Sequence, residues 1–339
     1  MKQARYSVAV LGATGLVGQE ILAVLEQRQF PLADLQLYAS LRSAGDEVTC
    51  GGLTTRVELL DNARFDETDI VILAAGEQVS AEWIDRATAS GAVAIDTSQL
   101  FTGDPDVPVI VPEVNAADAA EYTARNIIVS PDAPAIALAV ILKPLEQAAG
   151  LTRVVATSFE PVSGAGREGI EELHRQTVEL MNGRSAEAAL FPHRVAFNLV
   201  PQVGQLLAGG VSVEEQHTAA ALRRLLHAPE LVVSVTRTRA PIFYGAALAV
   251  NVETAQTLSA ADAAEALRTA PGVLLQDDPG AQLYPMPATA VGEDWTAVGR
   301  IREEPAANVL DLWASVDNLR KGSAVNVVQI AELLIREYL

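Results

Sequence analysis

Short apolar segments alternate with stretches of helical spacing through roughly the first 130 residues. Tyr6–Leu11 (YSVAVL) is apolar and β-branched over a length that suits a buried strand. After it, Gln19–Arg28 repeats apolar residues at helical spacing. Runs at Leu35–Tyr38, Ile70–Ala74, Ala92–Ile95 and Ile127–Val129 are again strand-like, with Ala81–Ser90 among the helical stretches between them. Strands and helices in alternation predict a mostly parallel sheet with helices on its faces.

The texture changes near Pro131. An apolar helix is expected at Ala135–Ala149 and a strand at Arg153–Phe159, followed by a Gly-rich turn and a polar helix from Arg167. Longer strand patterns at Leu231–Thr238, Ala246–Glu253, Thr296–Glu303 and Val309–Val316 predict a second sheet, and Asn326–Tyr338 a closing helix. Val48–Gly51 reads as strand edge or turn and Asp277–Pro287 as a surface loop.

Half the residues are hydrophobic and only 20% charged, so most of the 339-residue chain can bury a core and is not disordered. The formal net charge of −19 repels phosphate backbones and anionic headgroups, which argues against nucleic acid or an acidic membrane as a partner. The longest apolar runs fall short of a membrane span, and the first residues are too polar for a secretory signal, so a cytoplasmic protein is expected. The single cysteine, Cys50, can form neither an internal disulfide nor a cysteine-based metal site. The histidines His174, His193, His217 and His227 lack metal-ligand spacing, so no metal is expected.

Gly12-Ala13-Thr14-Gly15-Leu16-Val17-Gly18 falls at the first strand-to-helix turn, where backbone N–H groups and the positive helix end suit a pyrophosphate. Gly12, Thr14, Gly15, Leu16 and Val17 are therefore candidate cofactor residues. At the end of the next strand, where an NAD site usually places a carboxylate, the chain reads Ser40-Leu41-Arg42-Ser43. Arg42 with Ser40 and Ser43 suits a 2′-phosphate, which favours NADP over NAD.

GATGLVGQE, the SAG turn (Ser43–Gly45), DPDVP and VPEVN (within Asp104–Asn115), LKPL (Leu142–Leu145), VSGAG (Val162–Gly166), AFN (Ala196–Asn198), FYG (Phe243–Gly245), VGRIRE (Val298–Glu303) and DNLRKG (Asp317–Gly322) follow one another in an order that resembles the aspartate-semialdehyde dehydrogenase family. The resemblance implies an α/β protein. Residues 1–130 would form a Rossmann NADP-binding domain and 131–318 an α+β dimerisation domain with a mainly antiparallel sheet, while 319–339 would form a C-terminal helix packing back on the first domain. It adds Ser163 and Gly164 to the cofactor residues and implies a homodimer.

In such enzymes a cysteine thiolate attacks an aldehyde, hydride passes to NADP, and phosphate releases the acyl group. Here the resemblance puts Ala133 at the nucleophile's position and Ala246 at the histidine base's position. A family glutamine becomes Glu160, a phosphate-binding arginine becomes Thr102, a lysine becomes His217 and a glutamate becomes Ala221. Arg239, which in the family clamps the substrate carboxylate, is retained. The chain is thus similar to the usg group of non-catalytic homologues, with Asp132, Glu160 and Arg239 as a vestigial pocket in which Glu160 could pair with Arg239.

Three readings follow. The first is an NADP-binding pseudoenzyme or regulatory partner, associating with itself or with an active paralogue. The second is a reductase using Asp132 or Glu160 as proton donor. The third is ordinary dehydrogenase activity in amino-acid biosynthesis, which the two alanines oppose.

Overall fold

The computed structural model describes residues 5–304 and 308–339. The chain divides into two compact units, Met1–Asp132 with Ser323–Leu339 and Ala133–Gly322. The divisions fall after residues 132 and 322, rather than at the expected 130 and 318, because a long helix starts at Ala133 and the Asp317–Gly322 turn belongs with the second unit.

In the first unit, β1 (Tyr6–Leu11) leads into α1 (Leu16–Gln27) and β2 (Leu32–Ala39). A hairpin of β3 (Glu47–Cys50) and β4 (Leu53–Arg56) follows, then β5 (Glu58–Leu59), β6 (Ile70–Leu73), α2 (Glu77–Ala89), β7 (Val93–Asp96), α3 (Pro112–Asn115) and β8 (Ile127–Val129). The hairpin stands where strand edge or turn was expected, its reversal made by Gly51 and Gly52, both with positive φ as a two-residue hairpin turn requires. The main sheet runs β5-β2-β1-β6-β7-β8 and every pairing is parallel. Strand order therefore reverses at β1, which makes the carboxyl end of β1 the switch point where open α/β sheets bind ligands. Strands β6, β7 and β8 are buried at every position, as strands covered on both faces must be.

The C-terminal helix (Val325–Glu337) completes this core, placing Val327, Ile330 and Leu334 among Ile21, Leu25 and Ile72. It is also fastened by polar contacts. Asn326 Nδ2 donates to the Ile110 carbonyl (3.0 Å) and to Ser130 Oγ (2.8 Å), and Arg28 pairs with Glu332 at 2.7 Å.

The second unit comprises α4 (Ala133–Ala149), β9 (Leu151–Glu160), α5 (Gly166–Met181), α6 (Val213–Leu225), β10 (Val232–Arg239), β11 (Ala246–Thr254), α7 (Ala260–Arg268), β12 (Val273–Leu275), α8 (Pro287–Ala290), β13 (Thr296–Glu303) and β14 (Val309–Val316). Its sheet is mixed. In the order β10-β9-β11-β14-β13-β12 the two outer pairings are parallel and the three inner ones antiparallel. Helix α4 is apolar and buried nearly all round, packing on the sheet and against α6 and α7. Alternate residues on β9, β11 and β14, such as Thr157, Asn251 and Trp313, are only half-buried and border a shallow cavity of about 640 Å³. One sheet face is thus covered by helices and the other is open.

Candidate functional site

The glycine-rich turn sits at the switch point of the first unit. Gly12 has φ +85°, and a Cβ there would lie 2.6 Å from the Ala74 carbonyl oxygen, so only glycine lets the turn close on the β6 loop. Gly15 donates its N–H to the Gly12 carbonyl at 2.9 Å and is the N-cap of α1, where no side chain caps the helix. The leading N–H groups, on Leu16 and Val17, are therefore left for an anion. Thr14 lies in the same turn. This is a turn of bare backbone at a positive helix end, a chemistry that suits an anionic group such as a pyrophosphate.

Ser40, Arg42 and Ser43 occupy the turn directly after β2. Its shape is set by the Ser40 carbonyl, which accepts from Ser43 N–H (3.0 Å) and Ala44 N–H (3.2 Å), and by Gly45 N–H donating to Val57 at 2.8 Å. Arg42 is exposed, and no carboxylate stands between Ala39 and Asp46. The turn presents a cation and two hydroxyls, a donor set for a 2′-phosphate rather than for ribose hydroxyls.

Ser163 and Gly164 belong to the second unit, where three loops meet. Val162 and Ser163 donate backbone N–H groups to the Ile242 and Phe243 carbonyls at 2.9 and 3.2 Å. Asn318 ties the loops together, accepting from Gly245 N–H at 3.0 Å and donating to Ser163 Oγ at 3.1 Å. The VSGAG, FYG and DNLRKG motifs, far apart in sequence, are one structural feature.

Beside them lies a buried charge cluster, and here the expected pairing is corrected. Glu160 pairs with Arg237, not Arg239. Arg237 donates Nε to Oε1 at 2.6 Å and Nη2 to Oε2 at 2.8 Å, and Ser158 Oγ donates to Oε1 at 2.7 Å. In the parallel β9–β10 register Glu160 lies opposite Arg239, but a strand's period of two puts Arg237 on the same face, and its longer reach forms the fork. Burial would push the Glu160 carboxyl up, but the charges of Arg237 and Arg239 and the Ser158 hydroxyl outweigh it and hold Glu160 below the usual carboxylate range. Glu160 is therefore ionised at neutral pH and has no proton to donate, which removes it from the role of general acid.

Arg239 is left with donors to spare. It is 7% exposed, its Nη1 donates to the Pro161 carbonyl at 2.5 Å, and its guanidinium lies 5.7 Å from the Phe191 ring. Among the described residues Nε and Nη2 make no hydrogen bond, which leaves one edge of the fork for a carboxylate. A Cβ on Gly164 would stand 2.9 Å from Nη1, so glycine makes room for the guanidinium at this point. Burial pulls Arg239 below the ordinary arginine value; Glu160 and Glu214 oppose that shift and Arg237 adds to it.

Ala133 opens α4, and a Cβ on Gly322 would lie 2.5 Å from the Ala133 methyl. Ala246, 1% exposed, opens β11 opposite Val316. Cys50 lies in the other unit, buried, with its thiol donating to the Leu22 carbonyl at 3.3 Å and its pKa raised to about 11 by burial. Thr102 is buried too, and its hydroxyl is spent on Gln99 at 3.2 Å. Asp132 is the last residue of the first unit's opening segment. The residue sequence reasoning missed is Arg237; the signal was two arginines two positions apart on one strand.

Two family models match the chain, one described as the semialdehyde dehydrogenase NAD binding domain over residues 7–122 and the other as the semialdehyde dehydrogenase dimerisation domain over residues 142–321. Aspartate-semialdehyde dehydrogenase of Aquifex aeolicus is 41% identical over 335 residues, covering 98% of each chain. The crystal structure of aspartate semialdehyde dehydrogenase II from Vibrio cholerae complexed with ASA has a TM-score of 0.96 at 39% identity, covering 99% of this chain and 100% of that one. The Candida albicans aspartate semialdehyde dehydrogenase with NADP, at 20% identity and a TM-score of 0.73 over 98% of each chain, shares the fold. With two domain models in order and relatives near 40% identity along the whole chain, this protein belongs to the aspartate-semialdehyde dehydrogenase family.

Proposed function

We propose that the protein is an NADP-binding, carboxylate-recognising homodimer that does not carry out the thiol-dependent dehydrogenase reaction. The observation that carries this reading is Ala133 at the start of α4, where the family resemblance places the nucleophile. A methyl group has no lone pair with which to attack an aldehyde, and the one thiol of the chain is buried in the other unit with its pKa raised to about 11. Ala246 likewise has no atom to accept a proton.

NADP, where bound, supplies hydride chemistry. Gly12 to Val17 would hold its pyrophosphate and Arg42 with Ser40 and Ser43 would pair its 2′-phosphate, and the family resemblance adds Ser163 and Gly164 to the residues expected to contact it. Arg239 would orient a ligand carboxylate on its Nε–Nη2 edge, while Glu160 stays ionised on Arg237. What these residues do is bind and orient. Such a protein acts through association, with itself or with an active paralogue.

The test is NADP reduction with aspartate semialdehyde and phosphate by purified protein, alongside the Ala133→Cys/Ala246→His variant and an NADPH titration followed by nicotinamide fluorescence. NADPH binding with no turnover by the native chain is expected. Native turnover near the median enzyme rate of about 10 per second, with contaminating enzyme excluded, would overturn the reading.

A further inference from the structure

The β3–β4 hairpin lies apart from the glycine-rich turn, yet it is built into the turn that carries Arg42. Cys50, at the end of β3, and Val57, directly after β4, are each 1% exposed in the core of the first unit, so the hairpin is seated on that core. Two backbone hydrogen bonds close its open end onto the turn after β2. Gly45 N–H donates to the Val57 carbonyl and Val57 N–H to the Asp46 carbonyl, each at 2.8 Å. Gly45 has φ +104°, and a Cβ there would stand 3.3 Å from Arg56 Nη2 and 3.8 Å from Nε. The missing side chain is what lets the Arg56 guanidinium lie against the turn. Glu47 stands directly across from Arg56 in the β3–β4 register, but no ion pair joins them. Among the described residues neither the Arg56 guanidinium nor that of Arg42 makes a hydrogen bond or an ion pair.

We propose that Arg56 is a second cation for the cofactor's 2′-phosphate and, beside Arg42, a residue that determines the preference for NADP; this rests on the NADP reading above. A phosphate monoester carries a charge of about −1.5 to −2 at neutral pH, so one guanidinium leaves it partly charged and two neutralise it. In a chain with a formal net charge of −19, the uncompensated remainder would be repelled. The geometry allows both cations to act together. Gly45 follows Ser43 by two residues, a span of at most about 7 Å, which a phosphate with a hydrogen bond of about 2.8 Å on either side can bridge. The planar fork of an arginine matches phosphate oxygens two at a time. Because β4 already fixes the Arg56 backbone, little ordering of the chain has to accompany binding.

The test is a nicotinamide-fluorescence titration of the native chain, Arg56→Met and Arg42→Met with NADPH and with NADH, followed by displacement of NADPH with adenosine 2′,5′-bisphosphate or with 5′-AMP. Methionine keeps an unbranched apolar stem against Gly45 and removes the charge and the donors. Arg56→Met should raise the NADPH dissociation constant about tenfold or more while NADH stays within about twofold of native. Adenosine 2′,5′-bisphosphate should displace NADPH better than 5′-AMP does from the native chain, and that advantage should shrink in the variant. A native chain that binds neither dinucleotide, or binds both equally, would overturn the NADP reading and this proposal together. Selectivity for NADPH that is lost in Arg42→Met but intact in Arg56→Met would overturn this proposal alone. Equal weakening of NADPH and NADH in Arg56→Met would do the same, because it marks a prop beneath the turn rather than a phosphate contact.

Discussion

Replacing Arg237 by methionine would leave the Glu160 carboxylate, 6% exposed, without the two hydrogen bonds of 2.6 and 2.8 Å that now satisfy it. Removing one partner of a buried ion pair costs about 3–5 kcal/mol, and the value expected here is about 3 because the charge of Arg239 still acts on Glu160. The pH dependence has a definite sign. In the native protein the Glu160 carboxyl lies below its unfolded value, so its contribution is present at neutral pH and is lost as pH falls through the lowered folded value. In the variant burial is the largest remaining influence and raises the carboxyl, so Glu160 takes up a proton in the folded state first. Acidification from pH 7 to pH 5 should then return part of the loss, because protonation removes the unpaired buried charge. Pairing Arg237→Met with Glu160→Gln, which removes both charges, should restore stability to within about 1 kcal/mol of the native chain. Urea unfolding followed by tryptophan fluorescence reports on the second unit through Trp295 and Trp313. A loss under about 1 kcal/mol at pH 7, an equal loss at pH 5, or a double variant as unstable as the single one would refute the assignment.

Three further outcomes are expected. Gly12→Ala puts a methyl 2.6 Å from the Ala74 carbonyl in a backbone of positive φ, and should abolish NADPH binding in the fluorescence titration while lowering stability by about 1–3 kcal/mol. Arg42→Ala should weaken NADPH about tenfold to a hundredfold while leaving NADH unchanged, since a hydrogen bond to a charged group is worth about 1.5–3 kcal/mol. With a thiol pKa raised to about 11, Cys50 should react with a disulfide reagent at pH 8 at least about a hundredfold more slowly than it does in urea, as fits its small thiolate fraction.

The parallel sheet was legible because its strands are buried on both faces and read as continuous apolar runs such as Ile70–Leu73. The glycine-rich turn after β1 was legible because glycines are forced where backbone meets backbone, as at Gly12 and Ala74. The charge cluster was not. Glu160 and Arg239 are opposed in register, and sequence does not reveal that Arg237, two positions back on the same face, reaches further to make both hydrogen bonds. Nor could spacing disclose that the Arg56 guanidinium, eleven positions further on and on another element, lies against Gly45.

The C-terminal helix gives the first unit a history as well as a core. About 190 residues of the second unit are translated between Asp132 and Ser323, the two ends that the first unit must bring together. At roughly 5–20 residues per second that interval lasts about 10 to 40 seconds. Throughout it the nascent sheet lacks Val327, Ile330 and Leu334, and the groove they will fill stays open to water. For that time the emerging chain is a natural client for a chaperone that shields apolar surface, and it stays so until the last helix leaves the ribosome and closes the groove.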